Sequence, residues 1–448
     1  MKILSLISLQ FLLTTVVISQ WTLETTLPYQ QQPWILQICV IDSSVSWVLG
    51  GVDINPNPYF PYFALRTKSG WRQITNTDLN TNVNAFVFTA VDSSKVWLGT
   101  FWPEEIYFTS NGGINWVLQC HISDTANVRG IKFSSKNPEI GYAFADIGHS
   151  GTYYGVHILK TSNSGLNWVR WEFEFPFYYG ATNSLAVKDS DYAWFGLGCL
   201  SFGLSKIIMT STGGANWNIY DVEGGFAGVN TLQFSSNGLT GLYVSADVNL
   251  SQIYRTTNSG LNWSPIYSMG YYYYSRSMKW VSETSNIYTN DYSSVLRSID
   301  NGLNWSFMTG VNSTHIASLD AVKINASSVY ALAVTSEGEV YKLLDTARII
   351  GIEKMGTFIP KEYLLYQNYP NPFNPNTTIK FDLPADGVVT IEIYDILGRK
   401  VDMLAKNEFR KAGSYQVMWD APKFSSGVYF YRFEAGSYVK SKKMVLVK

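Results

Sequence analysis

The sequence predicts an all-β chain, a seven-bladed β-propeller followed by a small Ig-like β-sandwich. Three observations carry that expectation. A tight-turn motif ending in Trp recurs between residues 66 and 305, a strand–Asp–strand pattern recurs between those turns, and pattern and charge both change after residue 362. Composition agrees. Of 448 residues, 15% are aromatic and only 15% charged, with 30 Tyr, 15 Trp and 35 Gly, which suits half-buried strands joined by many turns. A hydrophobic content of 46% excludes wholesale disorder. A formal net charge of −1 leaves no electrostatic footprint for nucleic acid, which is excluded as a partner at this stage.

Met1-Lys2 precedes an apolar run, Ile3 to Ile18, broken only by Ser, Thr and one Gln. The run is too short for a stable span, and Val17-Ile18-Ser19 supplies compact residues for cleavage, so residues 1–19 read as a signal peptide. No later stretch has 18 consecutive apolar residues, so no transmembrane span is expected in the mature protein.

Residues 20–345 are read as the propeller. Five segments align without gaps, at Thr109–Trp116, Thr161–Trp168, Thr210–Trp217, Thr256–Trp263 and Ser298–Trp305, with Trp spacings of 52, 49, 46 and 42 residues. A shortened copy ends at Trp71. Asn111, Asn163, Asn258 and Asp300 occupy the third position, where a side-chain oxygen bonds turn amides. Gly113, Gly165, Gly214, Gly260 and Gly302 stand where a turn needs positive φ. Trp116, Trp168, Trp217, Trp263 and Trp305 are expected to cap the blade edge. Between these turns a second pattern recurs, as in Ile38-Cys-Val-Ile-Asp42 and Val87-Phe-Thr-Ala-Val-Asp92, and again near Ile131-Lys-Phe133, Leu185-Ala-Val187, Leu232-Gln-Phe234, Met278-Lys-Trp280 and Val322-Lys-Ile324. Seven inner strand pairs thus face six turn-Trp units. The mature start, Trp21-Thr-Leu-Glu, imitates the strand after each turn, so residues 21–27 are expected to complete the last blade beside Tyr341.

These turns resemble the Asp-box, or BNR repeat, of sialidases and sortilin-type receptors, and most closely that of the photosystem II assembly/stability factor family. The resemblance covers about residues 21–345 and implies fold more than function. The eponymous Asp survives only at Asp300.

Residues 346–362 read as a linker and 363–448 as a second domain. Residues 361–448 carry 13 Lys/Arg against 9 Asp/Glu, a net +4. Alternating strands are expected at Thr378–Leu383, Val388–Tyr394, Tyr415–Trp419 and Val428–Phe433. The segment resembles the C-terminal sorting domain of type IX secretion cargo, through Gln367-Asn-Tyr-Pro-Asn371-Pro372-Phe-Asn374-Pro375, Tyr394-Asp-Ile-Leu-Gly398-Arg, Ser426-Gly427-Val-Tyr and a basic end with Lys442, Lys443 and Lys448. That resemblance implies Sec export, a translocon partner reading residues 363–448, and an extracellular or outer-surface destination.

No catalytic, cofactor or metal site is expected. Four His lack zinc-ligand spacing, and no nucleophile elbow, phosphate loop or acidic calcium loop is present. Cys39, Cys120 and Cys199 are too few for a disulfide framework and are expected in the core, with room for one bridge. Asp42, Asp92 and Asp189 share one repeat position, which favours turn capping over chemistry. Glu104-Glu105, beside Trp102, is the more irregular carboxylate pair. Arg66, Arg255 and Arg297 share another repeat position and are expected to be structural rather than a sialidase-type clamp. Departures from the repeat point to function instead. They are aromatic: Trp102, Tyr178 and Tyr179, and the run Tyr271, Tyr272, Tyr273, Tyr274. Loops on a rigid scaffold carry binding, and such rings suit a polysaccharide or a surface protein. The expected function is a secreted, non-catalytic binding protein, with an extracellular glycoside hydrolase, sialidase-like or xyloglucanase-like, as the alternative.

Overall fold

A computed structural model describes residues 20–447, except 30–33, 53–59, 76–78, 80–82, 102, 125–126, 135–136, 150–151, 201–203, 224–227, 246–250, 271–276, 292, 312, 314, 326, 348–352, 355–358 and 422–423. The expected signal peptide therefore lies outside the described residues, as do Trp102, Tyr271–Tyr274 and Lys448. The described residues contain no helix and form nine four-stranded antiparallel sheets.

Seven sheets are blades. Blades 1 to 6 occupy residues 34–74, 85–123, 128–174, 178–222, 229–270 and 278–308, each with its four strands in chain order. Blade 7 takes three strands from residues 316–346 and its fourth from Thr22–Thr26. Leu23 lies opposite Tyr341 in that pairing, as the sequence predicts. First strands of consecutive blades are neighbours all the way round, and the first strand of blade 7 neighbours that of blade 1. The ring is closed.

Burial follows from stacking. A second strand has a blade on each side, so both of its faces are apolar; Val96–Thr100, Ala193–Cys199 and Gly241–Ser245 are buried at every position. Fourth strands face solvent, as Val117–Ser123 does. The hydrophobic core consists of wedges between adjacent blades rather than one central mass. Trp47, Leu49, Phe63, Phe88 and Leu98 fill the wedge between blades 1 and 2, and Trp194, Ile207, Leu232 and Tyr243 that between 4 and 5. Gly99 permits one such close approach: a Cβ there would sit 2.5 Å from Val128 Cγ1 on the first strand of blade 3.

The turn tryptophans enter these wedges. They do not cap an edge, as the sequence suggests. Trp116 of blade 2 stacks on Phe63 of blade 1 at 5.2 Å, and Trp217 of blade 4 meets Trp171 of blade 3 at 5.3 Å. Trp21 fills the same role between blades 6 and 7 and is 1% exposed, so it is the seventh member of the set. A ring with a blade on either side leaves no free edge for a large side chain to cap.

The last two sheets form a sandwich. One comprises Gly413–Asp420 and Asn376–Leu383, flanked by Glu353–Lys354 and Leu364–Leu365; the other comprises Lys400–Arg410, Gly387–Asp395, Gly427–Ala435 and Tyr438–Leu446. Ile379, Phe381, Ile391, Trp419, Tyr431 and Phe433 fill the space between them.

Candidate functional site

Antiparallel blades give the ring two unlike ends. One, the turn end, carries the first-to-second and third-to-fourth turns. The other, the loop end, carries the second-to-third connections and the crossings between blades.

The turn end is occupied by structural chemistry. Thr161 Oγ1 accepts the Gly165 N–H at 2.8 Å, and Asn163 Oδ1 accepts the Asn167 N–H at 3.0 Å. Thr109, Thr256 and Ser298 repeat the first bond, and Asn111, Asn258 and Asp300 the second. In the remaining turn Thr210 holds Gly214 while Thr212 Oγ1 accepts the Asn216 N–H at 2.8 Å. Asp42 and Asp92 each accept two backbone N–H groups of their own turn, and Asp189 accepts those of Asp191 and Tyr192. The repeated arginines join blades: Arg66 pairs with Glu24 at 2.7 Å, Arg297 with Asp345 at 2.8 Å, and Arg255 donates to the Asn301 carbonyl.

The loop end above blades 3 and 4 exposes apolar side chains together. Phe177 is 56% exposed and Tyr154 47%, with Leu200 and Leu204 also exposed. Local hydrogen bonds fix the group. Phe175 N–H donates to the Tyr154 carbonyl at 2.6 Å, Leu200 N–H to the Phe177 carbonyl at 2.9 Å, and the Tyr178 hydroxyl to the Leu204 carbonyl at 2.8 Å. Phe177 holds φ at +71°, a left-handed conformation that costs a bulky residue energy and turns its ring outward. Lys206 stands over the Tyr178 ring at 4.9 Å. Burial, with Cys199 beside it, pushes the Tyr178 phenol up to about 12. Tyr178 and Tyr179 are half-buried and support this group rather than form its tip; Phe177 precedes them in the same departure from the repeat, whereas Leu200 and Leu204 had no repeat-breaking signal to mark them.

Beneath Tyr179 lies a buried charge cluster. Arg129 Nε pairs with Asp146 Oδ2 at 2.7 Å, and Asp146 Oδ1 accepts the Gly180 N–H at 2.7 Å. Glu104 is fully buried nearby and has no hydrogen-bond partner among the described residues. Burial, then Asp146, pushes the Glu104 carboxyl up to about 9, against the pull of Arg129 and Arg170, so it is neutral at pH 7. Glu105 points to the opposite side of the strand, accepting from the Tyr107 hydroxyl at 2.7 Å and meeting His121 at 3.2 Å. The structure therefore separates Glu104 from Glu105 and brings it to Asp146 instead.

All three cysteines are free. Among the described residues no group of three or more His, Cys, Asp or Glu is placed to hold a metal ion. No helix among them is long and apolar enough to cross a membrane.

Residues 367–448 match the secretion system C-terminal sorting domain. This domain marks proteins exported by the type IX secretion system to the cell surface or extracellular space, and the destination of this chain follows. In the sorting domain the Asn-Pro-rich segment is a clasp on the terminal strand. Asn371 Oδ1 accepts the Val445 N–H at 2.9 Å, and Phe373, 2% exposed, exchanges backbone bonds with Val445 and Val447. Gly398, at φ +75°, closes a hairpin whose Asp395 accepts the Leu397 and Arg399 N–H groups. Lys442 and Lys443 lie on the edge strand opposite Tyr431 and Phe430. No curated protein matches the chain at a significant level. Solved structures similar to it include a fungal alcohol oxidase of the AA5 family in complex with copper, at TM-score 0.48 and 10% identity over 96% of this chain and 100% of that one. Another is the GH74 xyloglucanase from Xanthomonas campestris, at TM-score 0.47 and 8% identity over 95% of this chain and 68% of that one. A nidogen/laminin complex gives TM-score 0.35 and 11% identity over 57% and 93%.

Proposed function

We propose that the chain is a secreted, non-catalytic binding protein, its propeller of the Asp-box type and its first 19 residues a signal peptide. The loop end over blades 3 and 4 docks the partner. The carrying observation is the exposed group of Tyr154, Phe177, Leu200 and Leu204, pinned by backbone bonds. Rings on a fixed backbone give contact area at little entropic cost. The two leucines favour a protein surface over a polysaccharide, because an aliphatic side chain offers no flat ring for a sugar to stack on. The Tyr271–Tyr274 run is assigned to the same function. Phe177→Ser with Leu204→Ser tests the proposal: the double variant loses capture of its partner from culture supernatant and of any polysaccharide on an array, with an unchanged melting curve. Undiminished capture by that variant contradicts it.

The alternative, an extracellular glycoside hydrolase, has one observation in its favour: a neutral Glu104 beside Asp146 is the pairing of acid and carboxylate such chemistry uses. Both groups are fully buried, which keeps a sugar from reaching them. Release of chromophore from aryl glycosides by the wild type, abolished in Glu104→Gln, would reverse the preference.

A further inference from the structure

The first strands of all seven blades line a central cavity of about 510 Å³, within the ~300–1,000 Å³ range of small-molecule sites. A second cavity of about 500 Å³ runs on toward the turn end, past Lys188, Lys323 and Glu283. The two share Lys132, Phe133, Gln233 and Lys279, which therefore stand at the waist between them.

The charges at the waist do not balance. Lys279 is paired with Asp320 at 2.7 Å, and Asp320 is further engaged by the Val40 N–H at 2.7 Å and the Ala321 N–H at 2.9 Å. Lys132 has no acidic partner among the described residues; its one bond is to the Leu185 carbonyl at 3.4 Å. Cys39, facing the same space, supplies no negative charge, since burial pushes its thiol up to about 12. An ammonium without an acidic partner of its own is costly to hold inside the ring unless something else completes it. An anion whose oxygens take the Lys132 charge does so.

We propose that the channel waist binds a small oxyanion, a carboxylate or a phosphate group, held by Lys132, with Lys279 adding a second positive field. This site lies inside the ring, apart from the loop-end group proposed to dock a partner, and neither depends on the other. Burial, then Lys279, draws the Lys132 amine down to about 8, with Asp320 opposing. Anion binding is therefore strongest below pH 8 and falls as the amine loses its proton.

Calorimetric titration of the mature full-length protein with galacturonate and, separately, inorganic phosphate tests the site. Saturable binding of one or both is expected at pH 7, weakened about tenfold or more at pH 9.5 as the amine deprotonates. Galacturonate alone binding identifies a carboxylate site, and phosphate alone a phosphate site. Lys132→Gln is expected to abolish binding at pH 7, and Lys132→Arg to keep it at pH 9.5, both with unchanged melting curves. Failure of both anions to bind at pH 7, or binding that survives Lys132→Gln, overturns the proposal.

Discussion

Thr161 accepts two N–H groups of its turn, from Asn163 and Gly165, and so ends the third strand of its blade while starting the corner. Thr161→Val removes that acceptor and leaves a buried Gly165 N–H unpaired, at a cost of about 1–3 kcal/mol in urea unfolding. Asn163→Asp preserves the Oδ1 acceptor and is expected to change stability by less than about 0.5 kcal/mol, since Asp300 already fills the same place in blade 6. Such corners were readable in advance, because each role belongs to one residue type at one offset. Glu104 was not. Its neutral state rests first on burial and then on Asp146, contributed by another blade 42 positions away in sequence, and nothing local encodes that meeting. It also sets a pH dependence. In the fold Glu104 keeps its proton up to about pH 9, whereas in the unfolded chain it loses it near 4.5, so the folded state holds more protons between those values. Stability contributed by this group is present below pH 4.5 and is lost as pH rises toward and through 9. Glu104→Gln is expected to flatten the fall in melting temperature between pH 5 and 9; an unchanged slope would show that Glu104 is ionised in the fold.

Blades were legible because strands alternate and turns repeat, while the partners of their side chains were not. A Trp after a turn looks alike whether it covers an edge or enters a wedge; only the neighbouring blade decides, and it places Trp116 on Phe63. The missing seventh turn, by contrast, was visible as a count, and its solution as the likeness of Trp21-Thr-Leu-Glu to the strands that follow the turns. Trp21→Ala empties a fully enclosed site between blades 6 and 7 and is expected to cost about 3–5 kcal/mol, measured by denaturant unfolding. In the sorting domain Phe373→Ala is expected to cost a similar ~3–5 kcal/mol, since its ring packs on Trp419 at 5.5 Å and its backbone holds the terminal strand. The channel lysines had a signal too. Ile131-Lys132-Phe133 and Met278-Lys279-Trp280 place a Lys between two buried apolar residues of a first strand, the position that faces the axis, but sequence alone does not tell axis from solvent.

The molecule has two kinds of core, a ring of wedges and a single sandwich filling drawn, among the described residues, from 363–446. Each core is complete without the other's side chains. Removal of the sorting domain is therefore expected to leave the propeller's melting transition unchanged, and calorimetry of the whole chain to show two transitions; one shared transition would contradict this. The ring depends on its join. Everything placed around the axis, from the loop-end aromatic group to the channel waist, holds its position because Thr22–Thr26 closes blade 7. Hydrogen–deuterium exchange on the intact mature protein reads that join directly. Amides of residues 22–26 are expected to exchange as slowly as those of Glu339–Lys342 opposite them; exchange of residues 22–26 at the rate of a free chain end would mean the ring stands open.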